Sequence, residues 1–506
     1  MTSPLLGRIY PTPKNLAIDA DFQQTLEKLD AALCSAFQEA HLEANTSFSI
    51  SMFSASYDGL LYERHHSTDL VAKATVGTNK VDGDSMYRLC SISKLLTVYT
   101  FLIQAGDRHL NDPITDYLPE LVEDKAGADA LRPAWEDVTL GDLASHLSGM
   151  ARDYGLNDLA VDKQGSISGY PRLHSVLPPL TDDEKPSCGY LDDANKWIMC
   201  DKTALVSGIA NAAPIFPAGY GPCYCNNGYV LLAIALERKK DEDFEHLFAH
   251  SLLDPLDLQS SSYSVPPPAK WSSGVIPGNP TTSGWNNEFA AFSPAGGNYM
   301  SLKDLSRAVG NLYDTRLSLI PDFDVGFSIL TASDSAEVKR EAGLKVLSIV
   351  SDKMNIIVLP ALADIAKERA KRAFAGSYTS HSNGITHSVA IESDAEPGLK
   401  LAAWMYNGTD ILKELGRPWT SRDQVFDVRL QPNELYGGNK VGFTGVFGGA
   451  AWEIVDLFSR YFTHLHEYFA YLFDCSLYGN VGDRYSGNTN MQHVHRYMRI
   501  GNLGEQ

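Results

Sequence analysis

The chain has 506 residues, of which 44% are hydrophobic and 21% are charged, and its formal net charge is -20 at pH 7. This length and composition are typical of a globular protein with more than one domain and exclude an intrinsically disordered chain. Because an acidic surface repels phosphate groups and anionic lipid heads, we expect neither nucleic acid nor a membrane as a partner.

The N-terminus and the cysteines favour a cytoplasmic location. The first residues contain only a short apolar run at 4–6, so they lack the hydrophobic core of a secretory signal. No later apolar stretch is long enough for a membrane-spanning helix. The seven cysteines are an odd number, which argues against a fully paired disulfide framework and favours reduced thiols.

The first part of the chain is predicted to form two strands and a buried helix. Apolar or alternating runs at 48–53 and 70–76 flank the turn-forming segment 57–59 and predict antiparallel strands. Residues 89–105 carry apolar side chains around nearly the whole helical circumference, and a glycine ends the pattern. This segment is therefore predicted to be a helix inside the core.

The middle of the chain is predicted to be helical and the end rich in strands. Helices are expected at 140–147, 200–210, 227–237, 244–252 and 302–313, followed by a strand at 327–331 and a long helix at 336–374. Beyond Gly376, the alternating runs 388–391 and 400–404 predict further strands. Together these elements indicate an α+β order.

The predicted elements divide the chain into four parts. They are an N-terminal extension with a first helix (1–47), an α+β domain (48–374), a small mainly-β C-terminal domain (375–450) and a divergent tail (451–506). The last boundary depends on composition, since aromatic residues crowd into 452–473 and a polar segment follows.

Ser91 and Lys94 form an S-x-x-K motif in the first turn of the predicted buried helix. Residues three apart share one face of a helix, so the hydroxyl and the amine can meet. A lysine whose pKa is lowered by burial can take the serine proton, and the helix N-terminus favours the negative charge that develops on the oxygen. Chance supplies such a short motif in a long chain, so its surroundings have to decide.

Tyr224, Cys225 and Asn226 supply these surroundings on a loop just before a predicted buried helix. A tyrosine at this place can move a proton between nucleophile, lysine and leaving group, and the asparagine can donate to the substrate. His146, in the segment L-A-S-H-L-S-G, is expected to pack against or hydrogen-bond a loop without reacting.

The pairing of S-I-S-K with Y-C-N resembles the serine β-lactamase-like and penicillin-binding-protein superfamily, in its class C-like form. Similar flanking segments occur in the expected order, namely N-D-P-I at 111–114, L-A-S-H-L-S-G at 143–149 and A-G-G-N-Y-M-S at 295–301. F-A-G-S-Y at 374–378 and N-G-T-D at 407–410 resemble the fungal members that carry an extra C-terminal domain.

This resemblance implies an antiparallel sheet flanked by helices, an all-helical subdomain and a defined set of site residues. Ser91 is then the nucleophile, Lys94 its base, Tyr224 the second proton carrier and Asn226 a substrate contact. Cys225 stands where the family usually has a small residue. The resemblance implies no cofactor and no metal, and a small-molecule acyl compound as the substrate; protein partners stay open.

The family's third motif, a strand with Lys-Thr-Gly or His-x-Gly, has no counterpart in the sequence. The chain passes from Thr315 almost directly to the strand at 327–331, while H-S-N-G at 381–384 falls in the C-terminal domain, where we predict a turn. The third-motif strand ordinarily supplies an oxyanion-hole N–H and polar groups for the substrate carboxylate. A coding segment lost near Thr315 would leave the same gap.

The function we predict is a serine hydrolase or acyltransferase that acts through a Ser91 acyl-enzyme. By resemblance to the fungal members, its substrate is an ester, thioester or amide of a small molecule in secondary, polyketide-type metabolism. The missing third motif favours two alternatives, an impaired pseudoenzyme or a binding protein that keeps the fold; a β-lactam hydrolase is a third. The histidine pairs at 464 and 466 and at 493 and 495 lack carboxylate ligands at metal spacing and are expected to lie at the surface.

Overall fold

A computed structural model describes most of the chain. The described residues are 8–42, 44, 46–54, 56–123, 133–154, 188–191, 197–210, 212, 214–281, 283–309, 317–333, 337–382, 384–416, 427–437, 440–447 and 497–500. The chain forms two compact units, which we call the larger unit (Leu33–Leu319 and Gly326–Ser351) and the smaller unit (Met1–Ala32, Ile320–Val325 and Asp352–Gln506). Because neither unit is continuous in sequence, the three boundaries between the four predicted parts stay predictions.

The first nine strands form two sheets and a hairpin. They are β1 (Ser47–Ser54), β2 (Tyr57–His66), β3 (Met86–Arg88), β4 (Tyr190–Leu191), β5 (Trp197–Ile198), β6 (Ser261–Ser262), β7 (Tyr299–Ser301), β8 (Leu317–Ile320) and β9 (Val325–Ala332). The main sheet has the order β2-β1-β9-β8, a small sheet has the order β3-β7-β6, and β4 pairs with β5.

The helices account for the middle of the chain, as predicted. They are α1 (Ala20–Glu39), α2 (Asp69–Ala72), α3 (Ser93–Ala105), α4 (Glu120–Glu123), α5 (Leu140–Ala144), α6 (Lys202–Ala210), α7 (Asn226–Lys240), α8 (Phe244–Phe248), α9 (Ser293–Gly296), α10 (Leu302–Val309), α11 (Glu337–Lys353), α12 (Leu359–Phe374) and α13 (Ile411–Gly416). The predicted helix 336–374 is α11 and α12 joined by a π-helical turn, Met354–Val358. Residues 310–313, the end of another predicted helix, lie outside the described residues.

Strand β1 is covered on both faces, since all of its residues except the last are buried. Alternate side chains point to opposite faces of a strand, so Phe48, Ile50 and Met52 share one face. The serines on the other face form hydrogen bonds, and Ser51 Oγ lies 2.8 Å from Ser328 Oγ. The predicted strand at 48–53 is therefore confirmed as a central strand.

The predicted strand at 70–76 is wrong. Tyr57–His66 pairs antiparallel with β1, whereas Asp69–Ala72 is a single helical turn. The polar end of β2 concealed its strand character, because this strand lies at the edge of the sheet and leaves those side chains partly exposed. Val71 is the buried residue of α2, and its apolar neighbours are not buried. This segment therefore does not need a sheet to cover it.

Helices α3 and α7 form the centre of the larger core. Every residue of α7 from Asn227 to Leu236 is buried, as its apolar circumference requires. Gly228 permits close approach to α5, since a Cβ there would lie 3.0 Å from the carbonyl oxygen of Leu143. The site described below begins at the N-terminal ends of these two helices.

The smaller unit contains an antiparallel sheet, in which the strand Ile385–Glu392 alternates buried with more exposed residues. Its strands are β10 (Gly376–Ser382), β11 (Ile385–Glu392), β12 (Leu399–Tyr406), β13 (Thr409–Asp410), β14 (Val428–Gly437), β15 (Lys440–Phe447) and β16 (Tyr497–Ile500). The order is β10-β11-β12-β14-β15-β16, with β13 beside β12. Of the predicted turn at 381–384, His381 and Ser382 instead belong to β10 and pair with Thr386 and Ile385, while Gly384 lies in the turn before β11. An α+β fold followed by a sheet-rich region confirms the predicted fold class. The rest of the tail lies outside the described residues.

The expectation of reduced thiols is wrong for two cysteines. Cys188 and Cys200 form a disulfide around the β4–β5 hairpin, while Cys34, Cys90, Cys223 and Cys225 are free thiols. An odd cysteine count requires only that one thiol stays unpaired, so it could not exclude a single bridge. Disulfides persist in oxidising compartments, which weighs against the predicted cytoplasmic location.

One described helical stretch, Glu341–Phe374, is long and apolar enough to cross a membrane by length and composition. The same test is passed by core helices of soluble proteins, and the last three turns of this stretch carry charged residues of both signs. The stretch is therefore weak support for a membrane span, and the absence of a membrane partner stays a prediction.

Candidate active site

Ser91 lies at a sharp bend that leads into α3. It occupies a 3₁₀ turn, Cys90–Ile92, and its side chain is exposed. Cys90 has a positive φ of 49°, which a residue with a Cβ rarely adopts. The backbone N–H of Leu89 donates to the carbonyl oxygen of Asn298 at 2.9 Å and ties this bend to the segment after α9. The fold therefore holds Cys90, directly before Ser91, in a backbone conformation that is costly by itself.

Lys94 is buried one turn further along the same face. Its Nζ donates to Ser91 Oγ at 3.1 Å and to the carbonyl oxygen of Ala295 at 2.7 Å, and the residue is only 5% exposed. Burial lowers the pKa of Lys94, against the opposite effects of Tyr224 and Asp153. Burial therefore makes the neutral amine, which is the form that can accept a proton, easier to reach than it is for an exposed lysine.

Tyr224 meets Ser91 from the other side. Its hydroxyl donates to Ser91 Oγ at 2.6 Å, and Lys94 Nζ lies 4.9 Å from the centre of its ring. The side chain is 43% exposed, so it forms part of an open surface. The structure therefore brings together Ser91, Lys94 and Tyr224, the three residues predicted to carry the chemistry.

His146 holds the loop that carries Tyr224. Its Nδ1 accepts a hydrogen bond from the backbone N–H of Cys225 at 3.0 Å, and its carbonyl oxygen accepts one from the backbone N–H of Cys223 at 2.8 Å. Its ring stacks on Tyr224 with 4.6 Å between ring centres. Because Nδ1 accepts a hydrogen bond, this imidazole is neutral with its proton on Nε2. The predicted role of His146 as a loop-binding residue is confirmed.

Cys225 caps the helix that follows the loop. Its sulfur accepts the backbone N–H of Gly228 at 3.3 Å and donates to the carbonyl oxygen of Ala151 at 3.2 Å. Burial raises the pKa of this thiol to about 11, so the sulfur stays protonated near neutral pH. The cysteine therefore takes the N-cap role of a small polar residue.

Asn226 is fixed by two residues that the sequence did not single out. Its Nδ2 donates to Asp153 Oδ1 at 2.6 Å, and its backbone N–H donates to the carbonyl oxygen of Arg152 at 2.7 Å. Asp153 has a side chain only 3% exposed, and its Oδ2 lies 3.3 Å from Arg152 Nε. An arginine–aspartate pair directly after L-S-G-M-A was the one available signal, but nothing local indicates that it turns toward Asn226.

The segment around α9 closes the site behind Lys94. Besides the contact with Ala295, Thr97 Oγ1 donates to the carbonyl oxygen of Pro294 at 2.8 Å, and Ser93 Oγ accepts the backbone N–H of Asn298 at 3.1 Å. These bonds explain why A-G-G-N accompanies S-x-x-K in this chain.

A cavity of about 300 Å³ lies apart from this constellation. Its described lining includes Ser148, Ile215 and Phe216 and contains neither Ser91 nor Tyr224. We place the candidate site at Ser91 because the reactive groups converge there, whereas the cavity lining offers no comparable set.

In the part of the chain that the structure describes, no group of three or more His, Cys, Asp or Glu side chains could hold a metal. The four tail histidines lie outside that part.

The sheet beside the site ends at β8 among the described strands, and none of these strands carries Lys-Thr-Gly or His-x-Gly. Residues 310–316, which precede β8, are outside the described part of the chain. The structure thus offers no described counterpart of the third motif.

Two family models match the chain. Residues 62–325, more than half of the chain, match the model described as Beta-lactamase, and residues 366–462 match the one described as Beta-lactamase-like-like, C-terminal domain. A "Beta-lactamase-like protein" of Arthroderma benhamiae is 30% identical over 320 residues, which are 61% of this chain and 49% of the relative. "Probable hydrolase M10" of a Phoma species is 27% identical over 333 residues, 64% of this chain and 52% of the relative.

The chain therefore spans about half the length of these curated relatives. A solved structure, a β-lactamase/D-alanine carboxypeptidase from Yersinia pestis, is similar at 16% identity and a TM-score of 0.43. That alignment covers 67% of this chain and 98% of the other.

Proposed function

We propose that this chain, which belongs to the β-lactamase family, is a serine hydrolase or acyltransferase. It works through an acyl-enzyme on Ser91. One observation carries the proposal. Ser91 Oγ lies between Lys94 Nζ at 3.1 Å and the Tyr224 hydroxyl at 2.6 Å, so a base and a proton donor contact the same oxygen. This is the arrangement that covalent catalysis by serine requires.

In the first half of the reaction, Ser91 Oγ attacks the acyl carbon of an ester, thioester or amide. Neutral Lys94 takes the hydroxyl proton as the bond from Oγ to carbon forms. The bond to the leaving group then breaks, Tyr224 donates its proton to that group, and the ammonium of Lys94 returns a proton to Tyr224. The products are the acyl-enzyme and the protonated leaving group.

In the second half, water or an alcohol attacks the acyl-enzyme. Its proton passes to the Lys94–Tyr224 pair as the new bond forms, and Ser91 Oγ recovers a proton when its bond to the acyl carbon breaks. Water yields an acid and alcohol yields a new ester, so hydrolysis and acyl transfer share one site. We assign the contact with the acyl group to Asn226, which follows Tyr224 by two residues and is held by Asp153.

The fungal relatives support a hydrolase, since two of them are named as probable hydrolases. A small-molecule substrate from secondary metabolism is part of the proposal. We keep β-lactam hydrolysis as an alternative within the same chemistry. The cytoplasmic location also stays a proposal, and the Cys188–Cys200 disulfide counts against it.

A binding protein without turnover is the second candidate function. The observation that favours it is the sequence's lack of a Lys-Thr-Gly or His-x-Gly strand, which ordinarily donates to the developing oxyanion. Removing one such donor costs roughly 10²–10³ in rate. In that case Ser91 would react slowly, and the fold would serve to hold a ligand.

Intact-mass measurement after exposure to a fluorophosphonate, and separately to a β-lactam, tests the proposal. We expect one adduct per chain with the fluorophosphonate, absent in Ser91→Ala and present in Ser35→Ala, whose serine is exposed on α1. No adduct on a cooperatively folded protein would favour the binding-protein candidate. An adduct with the β-lactam that disappears with time would identify β-lactam hydrolysis.

A further inference from the structure

Arg152 places a positive charge at the mouth of the Ser91 site. Its guanidinium carbon lies 5.4 Å from the centre of the Tyr224 ring, and the Tyr224 hydroxyl contacts Ser91 Oγ at 2.6 Å. The Arg152 side chain is 64% exposed. A small molecule whose acyl carbon sits at Ser91 can therefore reach this guanidinium with another of its groups.

Among the described residues, the guanidinium forms one ion pair, which is with Asp153. Asp153, whose carboxylate is almost completely buried, lies 3.3 Å from Arg152 Nε, and it also accepts the amide of Asn226 at 2.6 Å. The Asp153 carboxylate thus contacts both Arg152 and Asn226, and this ion pair reduces the side-chain entropy that ligand binding would cost. The two terminal nitrogens point away from Nε and have the planar, forked geometry that matches a carboxylate.

Two other cations near Ser91 in the described part of the chain are already engaged. Lys94 is buried and donates to Ser91 and Ala295. Arg88 lies over the ring of Phe289, and its terminal nitrogens donate to carbonyl oxygens in the segment 284–287. Arg152 differs from both because it combines an anchored Nε with an exposed fork.

We propose that Arg152 is a specificity-determining residue that binds a carboxylate of the acyl substrate. This inference rests on the proposed function and names the substrate class, a small acyl compound that also carries a carboxylate. A chain with a net charge of -20 repels such anions in general, so a local cation is needed to hold one beside the nucleophile. Arg152 meets that need without a contribution from a third-motif strand.

Two fluorophosphonates of equal chain length test the proposal, one ending in a free carboxylate and the other in its methyl ester. Rates of Ser91 adduct formation over a range of probe concentrations give an apparent inhibition constant and a maximal rate. For the wild-type protein we expect a lower inhibition constant for the carboxylate probe, with a preference that declines as salt is added.

The variant Arg152→Gln should raise the inhibition constant of the carboxylate probe roughly tenfold or more, because a charge-assisted hydrogen bond is lost. Its inhibition constant for the methyl-ester probe should stay as in the wild type. Arg152→Lys should recover part of the preference, since it restores the charge without the fork. Arg238→Gln, which removes a surface arginine paired with Glu120, is the matched control and should change neither probe.

The outcomes separate the two proposals. If both probes label Ser91 with equal inhibition constants in the wild type, or if Arg152→Gln weakens both probes equally, the assignment of Arg152 is overturned and the serine chemistry stands. If neither probe labels Ser91 in a cooperatively folded protein, the proposed function fails and the assignment fails with it.

Discussion

The two sides of the Ser91 site are built in different ways. On the helix side, Ser91 and Lys94 are three residues apart, and Lys94 is buried against the α9 segment. On the loop side, Tyr224 and Asn226 are exposed or partly exposed and depend on residues more than 70 positions away in sequence, His146 and Asp153. The spacing of Ser91 and Lys94 is encoded within one helix, although Lys94 also bonds the distant Ala295, whereas no local spacing links the residues of the loop side.

This difference separates the chemistry from the selectivity. A base and its serine need burial and fixed spacing, which one helix can supply. Recognition of a substrate needs exposed groups in a fixed geometry, and such groups have to be anchored from behind, as Asp153 anchors Asn226 and Arg152. We therefore expect helix-side changes to alter the rate of acylation and loop-side changes to alter both binding and stability.

The largest effect is expected from Lys94→Met. The substitution keeps an unbranched side chain in the buried position but removes the base, so the rate of Ser91 labelling by a fluorophosphonate should fall by roughly 10²–10⁴. Lys303→Met, at an exposed lysine paired with Asp84, is the control and should label like the wild type. Labelling of Lys94→Met at the wild-type rate would mean that another group activates Ser91.

The next effect concerns the disulfide at the base of the β4–β5 hairpin. Bridging residues 12 apart in sequence stabilises the folded state by about 3 kcal/mol in the loop-entropy model. Cys188→Ala with Cys200→Ala should therefore lower the melting temperature and leave Ser91 labelling at low temperature unchanged. Alkylation of the unfolded wild type should modify two fewer cysteines before reduction than after it; equal numbers would show that the bridge is absent.

A smaller effect is expected at His146, where two substitutions divide its contacts. His146→Phe keeps the stacking on Tyr224 but leaves the Cys225 N–H without its acceptor, which should cost about 1–3 kcal/mol of unfolding free energy. His146→Asn keeps an acceptor and suits the positive φ of 63° at this position. We expect Asn to retain more stability and faster Ser91 labelling than Phe. The reverse order, measured by denaturant unfolding and labelling, would assign the role to stacking.

The fold was predictable where periodicity and burial agree. Apolar residues on every side of the helix predict that α3 and α7 are buried. The S-x-x-K spacing sets the position of Ser91 relative to Lys94. Strand β2 was missed because an edge strand needs apolar residues on only one face, and its polar end looked like a loop. Turn residues 57–59 proved to be the first part of that strand.

The site was predictable only as far as local motifs reach. Tyr224 could be paired with Ser91 through resemblance, since no local pattern links residues 133 positions apart. Asp153 and Arg152 carry no motif of their own, and their roles follow from a backbone path that brings Arg152 O to the Asn226 N–H. Long-range polar contacts of this kind are set by tertiary packing, which sequence periodicity does not encode.

The subtlest effect, and the one that compares the two sides most directly, is the pH dependence of Ser91 labelling. Burial lowers the pKa of Lys94 below its ordinary value of 10.5, so the neutral base should appear, and the labelling rate should rise, at a lower pH than an ordinary lysine allows. The groups around Lys94 are Ser91, Tyr224, Tyr229, Asp153 and Arg152, and the last two act in opposite directions.

The charge of Arg152 lowers the pKa of Lys94, whereas that of Asp153 raises it. Arg152→Gln should therefore move the rising limb of the rate profile to higher pH, and Asp153→Asn should move it to lower pH, while Arg238→Gln should leave it in place. Opposite shifts would show that the loop side tunes the base as well as the substrate. If both substitutions moved the rising limb of the rate profile in the same direction, they would act by loosening the loop and not through charge. Arg152 and Asp153 would then contribute to recognition without setting the pKa of Lys94.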